Sequence, residues 1–269
     1  MDTRGRRPHS PLIDMSKPSP ARMYDYYLGG KDNYAVDRAA AEDMRRAIPE
    51  LFQTARENRH FLGRAVRHLC RAGIRQFIDL GAGLPTQGNV NEIAQQETPG
   101  ARVVCVDNDP IVQAHGEALL GDDEHTTIVA ADIREPAEVL GHPELKRLID
   151  LNEPVGVLFV AVLHFIPDTQ DPDGVVASFR DAVAPGSYLT IAHGTTAAGS
   201  AAVKKMTDTY DRATESVQLR EPERIKEFFG DWEMVEPGAV HLPWWHPEID
   251  PRPEPEPTRW HFGGVARKP

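Results

Sequence analysis

Phe77-Ile78-Asp79-Leu80-Gly81-Ala82-Gly83-Leu84-Pro85-Thr86 decides how this chain is read. An apolar strand runs directly into a Gly-x-Gly turn, and Asn89 to Gln96 suit a helix after it. Glycine is needed there because the backbone must turn sharply and let a ligand approach where a Cβ would stand. A lone Gly-x-Gly is weak evidence. Its weight comes from a second strand ending in Val103-Val104-Cys105-Val106-Asp107, about one βα unit downstream. A carboxylate at that place accepts hydrogen bonds from ribose hydroxyls.

The turn argues against a dinucleotide. A pyrophosphate seat wants a third glycine for close helix packing, and that position is Thr86, with Pro85 stiffening the turn before it. Asp79 at the strand end is unwelcome beside a pyrophosphate but welcome beside an ammonium group such as that of a methionine moiety. A third acid, in Ala130-Ala131-Asp132-Ile133, follows the next strand and can accept from an adenine amine. Three carboxylates after three successive strands suit a ligand with an amine, a ribose and an adenine, as in S-adenosylmethionine. The structural alternative is that Asp107 caps the helix beginning near Pro110 and that Asp132 is a turn residue.

Outward from this centre, Arg75–Leu80, Arg102–Val106, Thr126–Ala130, Pro154–Leu163 and Ser187–His193 are short apolar runs separated by helical or polar segments. Continuous apolar runs read as strands buried on both faces, and their alternation with helices implies a parallel sheet of α/β type. Upstream, Ala21–Leu28, Ala35–Ala47 and Leu51–Ala72 read as helices, with Gly29-Gly30 breaking the first from the second. In the third, Phe52, Ala55, Phe61, Leu62, Ala65, Val66 and Leu69 recur at helical spacing. Downstream, Pro222–Phe229 reads as a helix, and Trp232–Val240 and Arg259–Ala266 as a terminal hairpin around a Pro-rich loop. Residues 1–18 are polar and expected to be disordered. Residues 19–269 are expected to form one domain, with 19–72 as a helical cap.

Bulk properties narrow the function. The 269 residues carry a net charge of −11 and no basic block, a poor footprint for nucleic acid or an anionic membrane. No stretch approaches a membrane span, and no apolar run marks a secretory signal. Cys70 and Cys105 sit in no paired motif, so a disulfide framework or zinc knuckle is not expected. A cytoplasmic protein acting on a small-molecule or protein substrate fits these facts.

The stretch Asp79–Gly83, then Val103–Asp107-Asn108-Asp109-Pro110, Ala131-Asp132 and Val157–Asp168 resembles class I S-adenosylmethionine-dependent methyltransferases. The last of these looks like that superfamily's fourth-strand motif, and the turn Gly81–Thr86 is similar to that of the leucine carboxyl methyltransferase-like branch. Nearly the whole chain resembles one bacterial family of S-adenosyl methyltransferase-like proteins. The pieces that carry this are Ser19–Tyr34, Asn58-Arg59-x-Phe61-Leu62-x-Arg64-Ala65-Val66-Arg67 and Phe228–Gly238. The resemblance implies a Rossmann-like, seven-stranded, mostly parallel sheet with a reversed last strand. It brings S-adenosylmethionine as cofactor and no acceptor. The cofactor-binding residues it suggests, with the reading above, are Arg22, Tyr24, Asp79, Gly81, Ala82, Gly83, Asp107, Asn108, Asp132, Ile133 and Ala161.

Around Gly29-Gly30 stand Tyr24, Tyr26, Tyr27 and Tyr34, with Arg22, Lys31 and Asn33 nearby. Such a segment folds over a cofactor as a lid, with a cation for the methionine carboxylate, or else packs an aromatic stripe on the sheet. Arg59 is a second candidate for that carboxylate, while Arg64 reads as a solvated-face charge. His164 after the fourth strand and His193 at the end of the fifth lie at the edge where open α/β sheets bind ligands. Each either removes a proton from an acceptor or packs; His164 is taken as the candidate catalytic residue. His241, His246 and His261 flank the Pro-rich loop without carboxylates at ligand spacing, so no metal site is expected. Methyl transfer needs no strong nucleophile from the protein, which suits a sequence without one. Two rivals stand beside it: a catalytically silent binder of the same cofactor, and a nicotinamide-dependent oxidoreductase, against which Thr86 and the terminal hairpin weigh.

Overall fold

The computed structural model describes residues 14–85, 88–120, 123–198, 200–210, 213, 215–249 and 256–269. Three helices come first: α1 (Pro20–Tyr27), α2 (Ala35–Ala47) and α3 (Leu51–Arg71). The βα series follows with β1 (Gln76–Leu80), α4 (Val90–Glu97), β2 (Arg102–Asp107), α5 (Pro110–Leu120), β3 (Thr126–Ala130), α6 (Pro136–Gly141) and α7 (Pro143–Leu148). Then come β4 (Gly156–Val160), α8 (Pro172–Ala182), β5 (Tyr188–Gly194), α9 (Ser200–Tyr210), α10 (Pro222–Glu227), β6 (Glu233–Met234), β7 (Val240–His241) and β8 (His261–Arg267).

The strands order as β3-β2-β1-β4-β5-β8-β6, with β7 also on β8. The first five are parallel, and β8 runs against β5 over seven residue pairs from Tyr188↔Arg267 to Gly194↔His261. Among the described residues the sheet therefore has eight strands rather than seven. The reason is local. The run expected as one strand, Trp232–Val240, is interrupted by a turn in which the Gly238 N–H donates to Val235 O at 2.8 Å. What remains is two short strands, β6 and β7, each antiparallel to β8. The expected disorder of residues 1–18 falls largely on 1–13, outside the described residues, as do Thr86 and residues 250–255 of the Pro-rich loop.

Successive strand side chains point to opposite faces, and both faces are covered. Ile78, Leu80, Val104 and Val106 join Phe159 and Phe179 in one apolar cluster. Phe77, Val103 and Cys105 join Phe61, Leu69 and Trp245 of the α3 side in another. Each of the large fully buried rings contributes about 1.5–3 kcal/mol through burial alone. The strand order reverses direction of growth at β1, since β2 lies on one side and β4 on the other. Such a point opens a crevice at the carboxyl ends of the strands. The antiparallel run of β8 brings its first residue, His261, beside Gly194 at that same edge.

Candidate functional site

The Gly-rich turn is built by the neighbouring strand. Gly81 N and Ala82 N both donate to Val106 O, at 2.9 and 3.2 Å. Gly81 has φ +73°, and a Cβ there would lie 2.3 Å from Val162 Cγ2. Gly83 N donates to Asp107 Oδ2 at 2.9 Å. Asp107 Oδ1 accepts from Asp109 N, and Asp109 Oδ1 accepts from Ile111 N. The first turn of α5 is thus capped by Asp109 rather than Asp107, which corrects the alternative reading of Asp107 as that cap. At the end of β4, Ala161 takes φ 59° and its N–H donates to Ala192 O at 2.9 Å. A non-glycine residue in left-handed backbone at a strand end marks a place where the chain bends to shape a site.

The residues suggested for the cofactor, together with His164, all line one cavity of about 420 Å³, whereas His193 does not. Asp79, Gly81, Ala82 and Gly83 form one wall, Asp107, Asn108, Asp132 and Ile133 the next, and Ala161 and His164 the floor beyond β4. Arg22 and Tyr24 come from above, on α1. The sequence places an acceptor between Leu163–Asp168, His193–Thr196 and the N-terminal segment, and His164, Phe165, Ile166 and Gly194 do line the cavity; it did not anticipate Asn58, Met206, Tyr210, Trp260 and His261. The volume lies within the range of cofactor and substrate pockets.

The helix α1 roofs the cavity and is tied down on both sides. Ser19 Oγ donates to Asp109 Oδ2 at 2.6 Å, across to the turn after β2. Tyr24 OH donates to Ala55 O at 3.1 Å and therefore accepts from Asn58 Nδ2, at 2.8 Å, on α3. That fixes the Asn58 amide and leaves its buried Oδ1 with no partner. Gly30 packs against the Asp25 carboxylate, where a Cβ would meet Oδ1 at 1.9 Å. Of the tyrosines expected in a lid, Tyr24 and Tyr27 line the cavity, while the Tyr26 hydroxyl bonds Glu42 and Tyr34 packs beside Arg22. The Arg22 cation is engaged elsewhere than expected. Its Nε pairs with the fully buried Asp37 at 2.8 Å and its Nη2 donates to Lys17 O. Arg59 lies over the Tyr24 ring and bonds Asn89 Oδ1 at 3.0 Å, so it is the cation that reaches the Asp79 side of the cavity.

The electrostatics of the strand ends separate three carboxylates. Burial pushes Asp79 up to about 7, with Arg59 opposing and Asp107 adding to the rise. Burial likewise pushes Asp107 up to about 6 against its backbone hydrogen bonds. Asp132 is different: burial raises it, but the bonds and charge of Arg134 outweigh that and hold it below the usual carboxylate range. Its carboxylate takes Arg134 Nη2 at 2.6 Å. Asp79 and Asp107 are desolvated acids that gain from meeting a cation or a hydroxyl donor, which is the chemistry an ammonium and a ribose bring. The residues present fit S-adenosylmethionine in this respect.

The histidines resolve unequally. His193 is fully buried, its Nδ1 facing Gly194 O at 2.7 Å and its Nε2 facing Arg220 Nη1 at 2.8 Å, and burial first of all drives it down to about 3. It is a packing residue. His164 Nδ1 accepts from Gly194 N at 3.3 Å, so the proton of its neutral ring sits on Nε2. Burial drives it well below the usual histidine range. That geometry makes His164 a donor and removes the role of proton acceptor expected of it. Arg64 also departs from expectation: it is buried and donates to Trp245 O and Leu242 O, both at 2.7 Å, instead of facing solvent. Among the described residues no cluster of histidine, cysteine and carboxylate groups could hold a metal ion, and no helix is long and apolar enough to cross a membrane.

A parallel sheet switched at β1, a Gly-rich turn after β1 and acids at the end of β2 and just past β3 define a class I methyltransferase fold and site. The chain belongs to the S-adenosyl methyltransferase family, whose pattern matches residues 6–269. The cofactor of that family is S-adenosylmethionine. A crystal structure named "putative methyltransferase", from Thermobifida fusca, is 43% identical and superposes with a TM-score of 0.88 over 95% of this chain and 96% of the other. A DUF574 family protein from Streptomyces avermitilis is 39% identical, with a TM-score of 0.89 over 96% and 100% of the two chains. No curated protein matches the chain.

Proposed function

We propose that this chain transfers the methyl group of S-adenosylmethionine to a small-molecule acceptor. The observation that carries the reading is the order of carboxylates around one roofed cavity: Asp79 and Asp107 at the ends of β1 and β2, and Asp132 just past β3. Asp79 takes the ammonium, with Arg59 beside it for the carboxylate. Asp107 takes the ribose hydroxyls while holding Gly83. Asp132 and Ile133 meet the adenine, where Ile133 supplies a buried apolar face.

When bound, the cofactor supplies an already activated methyl group on a sulfonium. The work left to the chain is to hold the acceptor in line, exclude water and move a proton. The roof of α1 excludes water from above. The floor beyond Ala161, walled by Phe165, Tyr210 and Trp260, is where an acceptor faces the methyl group.

Calorimetry with S-adenosylhomocysteine, S-adenosylmethionine and NAD tests the reading. Binding of both sulfur nucleosides and not of NAD is expected. Tight NAD binding without either nucleoside would falsify it. A silent binder of the cofactor is distinguished by the absence of any S-adenosylhomocysteine release across a broad acceptor panel.

A further inference from the structure

Three histidines meet at the acceptor end of the cavity. His164 packs 5.5 Å from His193 and 6.1 Å from His261, measured between ring centres. The protein fixes the tautomer of two of them: Gly194 N–H takes the lone pair of His164 Nδ1, and Gly194 O with Arg220 brackets His193. His261 differs. Its Nδ1 is buried and has no partner, and the ring lines the cavity. Nothing in the protein dictates which of its nitrogens carries the proton, so a ligand can set that choice.

The backbone holds this ring firmly while leaving its nitrogens uncommitted. His261 O accepts from His241 Nδ1 at 3.3 Å. Just upstream, Thr258 N donates to Glu57 Oε1 at 3.0 Å, and the Thr258 hydroxyl also donates to Glu57. The lead into β8 is thereby pinned to α3, and β8 itself pairs His261 with Gly194.

The surroundings choose the kind of acceptor. Phe165 and Tyr210 meet edge to face at 5.5 Å, and Trp260, Met206 and Leu219 complete an apolar wall. No lysine lines the cavity among the described residues, and two of its arginines, Arg22 and Arg134, pair with Asp37 and Asp132. An anionic acceptor would enter this wall without a counter-ion, at a cost in desolvation.

Resting on the methyltransferase reading, we infer that the acceptor is an uncharged aromatic molecule bearing a hydroxyl or ring N–H, and that His261 receives its proton. As the acceptor oxygen or nitrogen forms its bond to the methyl carbon, the sulfur–methyl bond breaks with its electron pair going to sulfur. The acceptor proton passes to His261 and then to water. His261 is neutral before the step, because burial lowers it to about 4, and so its lone pair is available.

The test uses the full chain in two samples: one 15N-labelled at histidine, with the ring signals of His164, His193 and His261 assigned by the loss of one set in each single Gln variant, and one uniformly 15N-labelled, which reports the Gly81–Gly83 amides. The probes are S-adenosylhomocysteine, 1-naphthol and 1-naphthoate. With the nucleoside bound, 1-naphthol should bind at least about tenfold more tightly than 1-naphthoate. It should also shift the His261 ring nitrogens toward a single tautomer, leaving those of His164 and His193 in place. Equal or tighter binding of 1-naphthoate overturns the acceptor class. Unmoved His261 nitrogens, or movement of His164 instead, overturn the role of His261. If the nucleoside itself leaves the Gly81–Gly83 amides unshifted, the methyltransferase reading fails and this inference fails with it. A response at those amides without one at His261 sinks the inference alone.

Discussion

Asp107 Oδ2 accepts the Gly83 N–H at 2.9 Å, so the end of β2 holds the turn that follows β1. One carboxylate thus both shapes the Gly-rich turn and faces the ligand side of it. Asp107→Ala should weaken S-adenosylhomocysteine binding by about 1–3 kcal/mol, the cost of leaving hydrogen-bonding groups unpaired. The fold should survive, since Asp109 caps α5. Calorimetry beside a thermal melt checks this; full affinity in a folded variant would remove Asp107 from the site.

Asp79 gives a pH signature. Its folded value is raised to about 7, above the ~3.9 of an unfolded aspartate. The unliganded fold therefore keeps a proton that the unfolded chain releases, and it loses stability as pH rises from ~4 through ~7. Asp79→Asn removes that loss. At pH 8 the variant should melt at least about 2 °C higher than the parent without ligand, and at pH 4 the two should coincide. A bound ammonium favours the ionised form, so cofactor affinity in the parent should climb between pH 5 and 8. In Asp79→Asn the affinity should be weaker, and the remaining rise should be centred near pH 6, where Asp107 ionises. Affinity independent of pH in the parent contradicts the ammonium assignment.

The two turn glycines should respond differently. Both have positive φ, but a Cβ at Gly81 strikes Val162 while one at Gly83 meets nothing within 4 Å. Gly83→Ala should cost about 1–2 kcal/mol of backbone strain. Gly81→Ala adds a steric clash and should cost more, about 3 kcal/mol. Chemical denaturation ranks them, and a reversed order would show that Val162 yields easily.

Arg220 ties two segments together: it bonds His193 Nε2 on β5, and Leu163 O, Ile166 O and the half-exposed Asp168 carboxylate in the stretch after β4. Arg220→Ala leaves buried His193 Nε2 and Ile166 O without a donor, and should destabilise the fold by about 3 kcal/mol. A melting temperature within a degree of the parent's would contradict this.

Protection of α1 should depend on ligand. Hydrogen exchange at Tyr24–Tyr34 is expected to slow when S-adenosylhomocysteine binds, because the roof gains a packed surface beneath it. Equal exchange with and without nucleoside, while Gly81–Gly83 respond, would make α1 a fixed cover.

Most of the sheet was legible because its signal is local. The runs Gln76–Leu80, Arg102–Asp107 and Thr126–Ala130 are built mostly of apolar and β-branched residues, as strands of a covered parallel sheet are. The carboxylates at their ends were legible for the same reason, since a strand end fixes their edge. The helix α9 was not read: it is mostly polar, and its stripe is only Val203, Met206 and Tyr210, at helical spacing that could have revealed it. At the far end of the cavity the stretch after β4 was legible, while the contribution of Trp260 and His261 was not, for a physical reason. His261 reaches it only because β8 is antiparallel to β5, a pairing between distant segments that no window of sequence records. Arg64 misled because a charged residue on a helix usually faces water, while here two carbonyls of the Leu242–Trp245 turn pull it inward.

The placement of β8 also has a temporal side. β6 and β7 pair with β8 and precede it in the chain. As the polypeptide emerges during synthesis, these two short segments and the far edge of β5 wait for a partner not yet made. The parallel strands β1 to β5 are all made before it, and with them the Gly81–Gly83, Asp107 and Asp132 lining of the cavity. Trp260 and His261 arrive last. In a nascent chain of this kind the Gly81–Gly83 side of the cavity is synthesised long before the His261 side, and the antiparallel strand supplies both the partner of the sheet edge and that last stretch of lining.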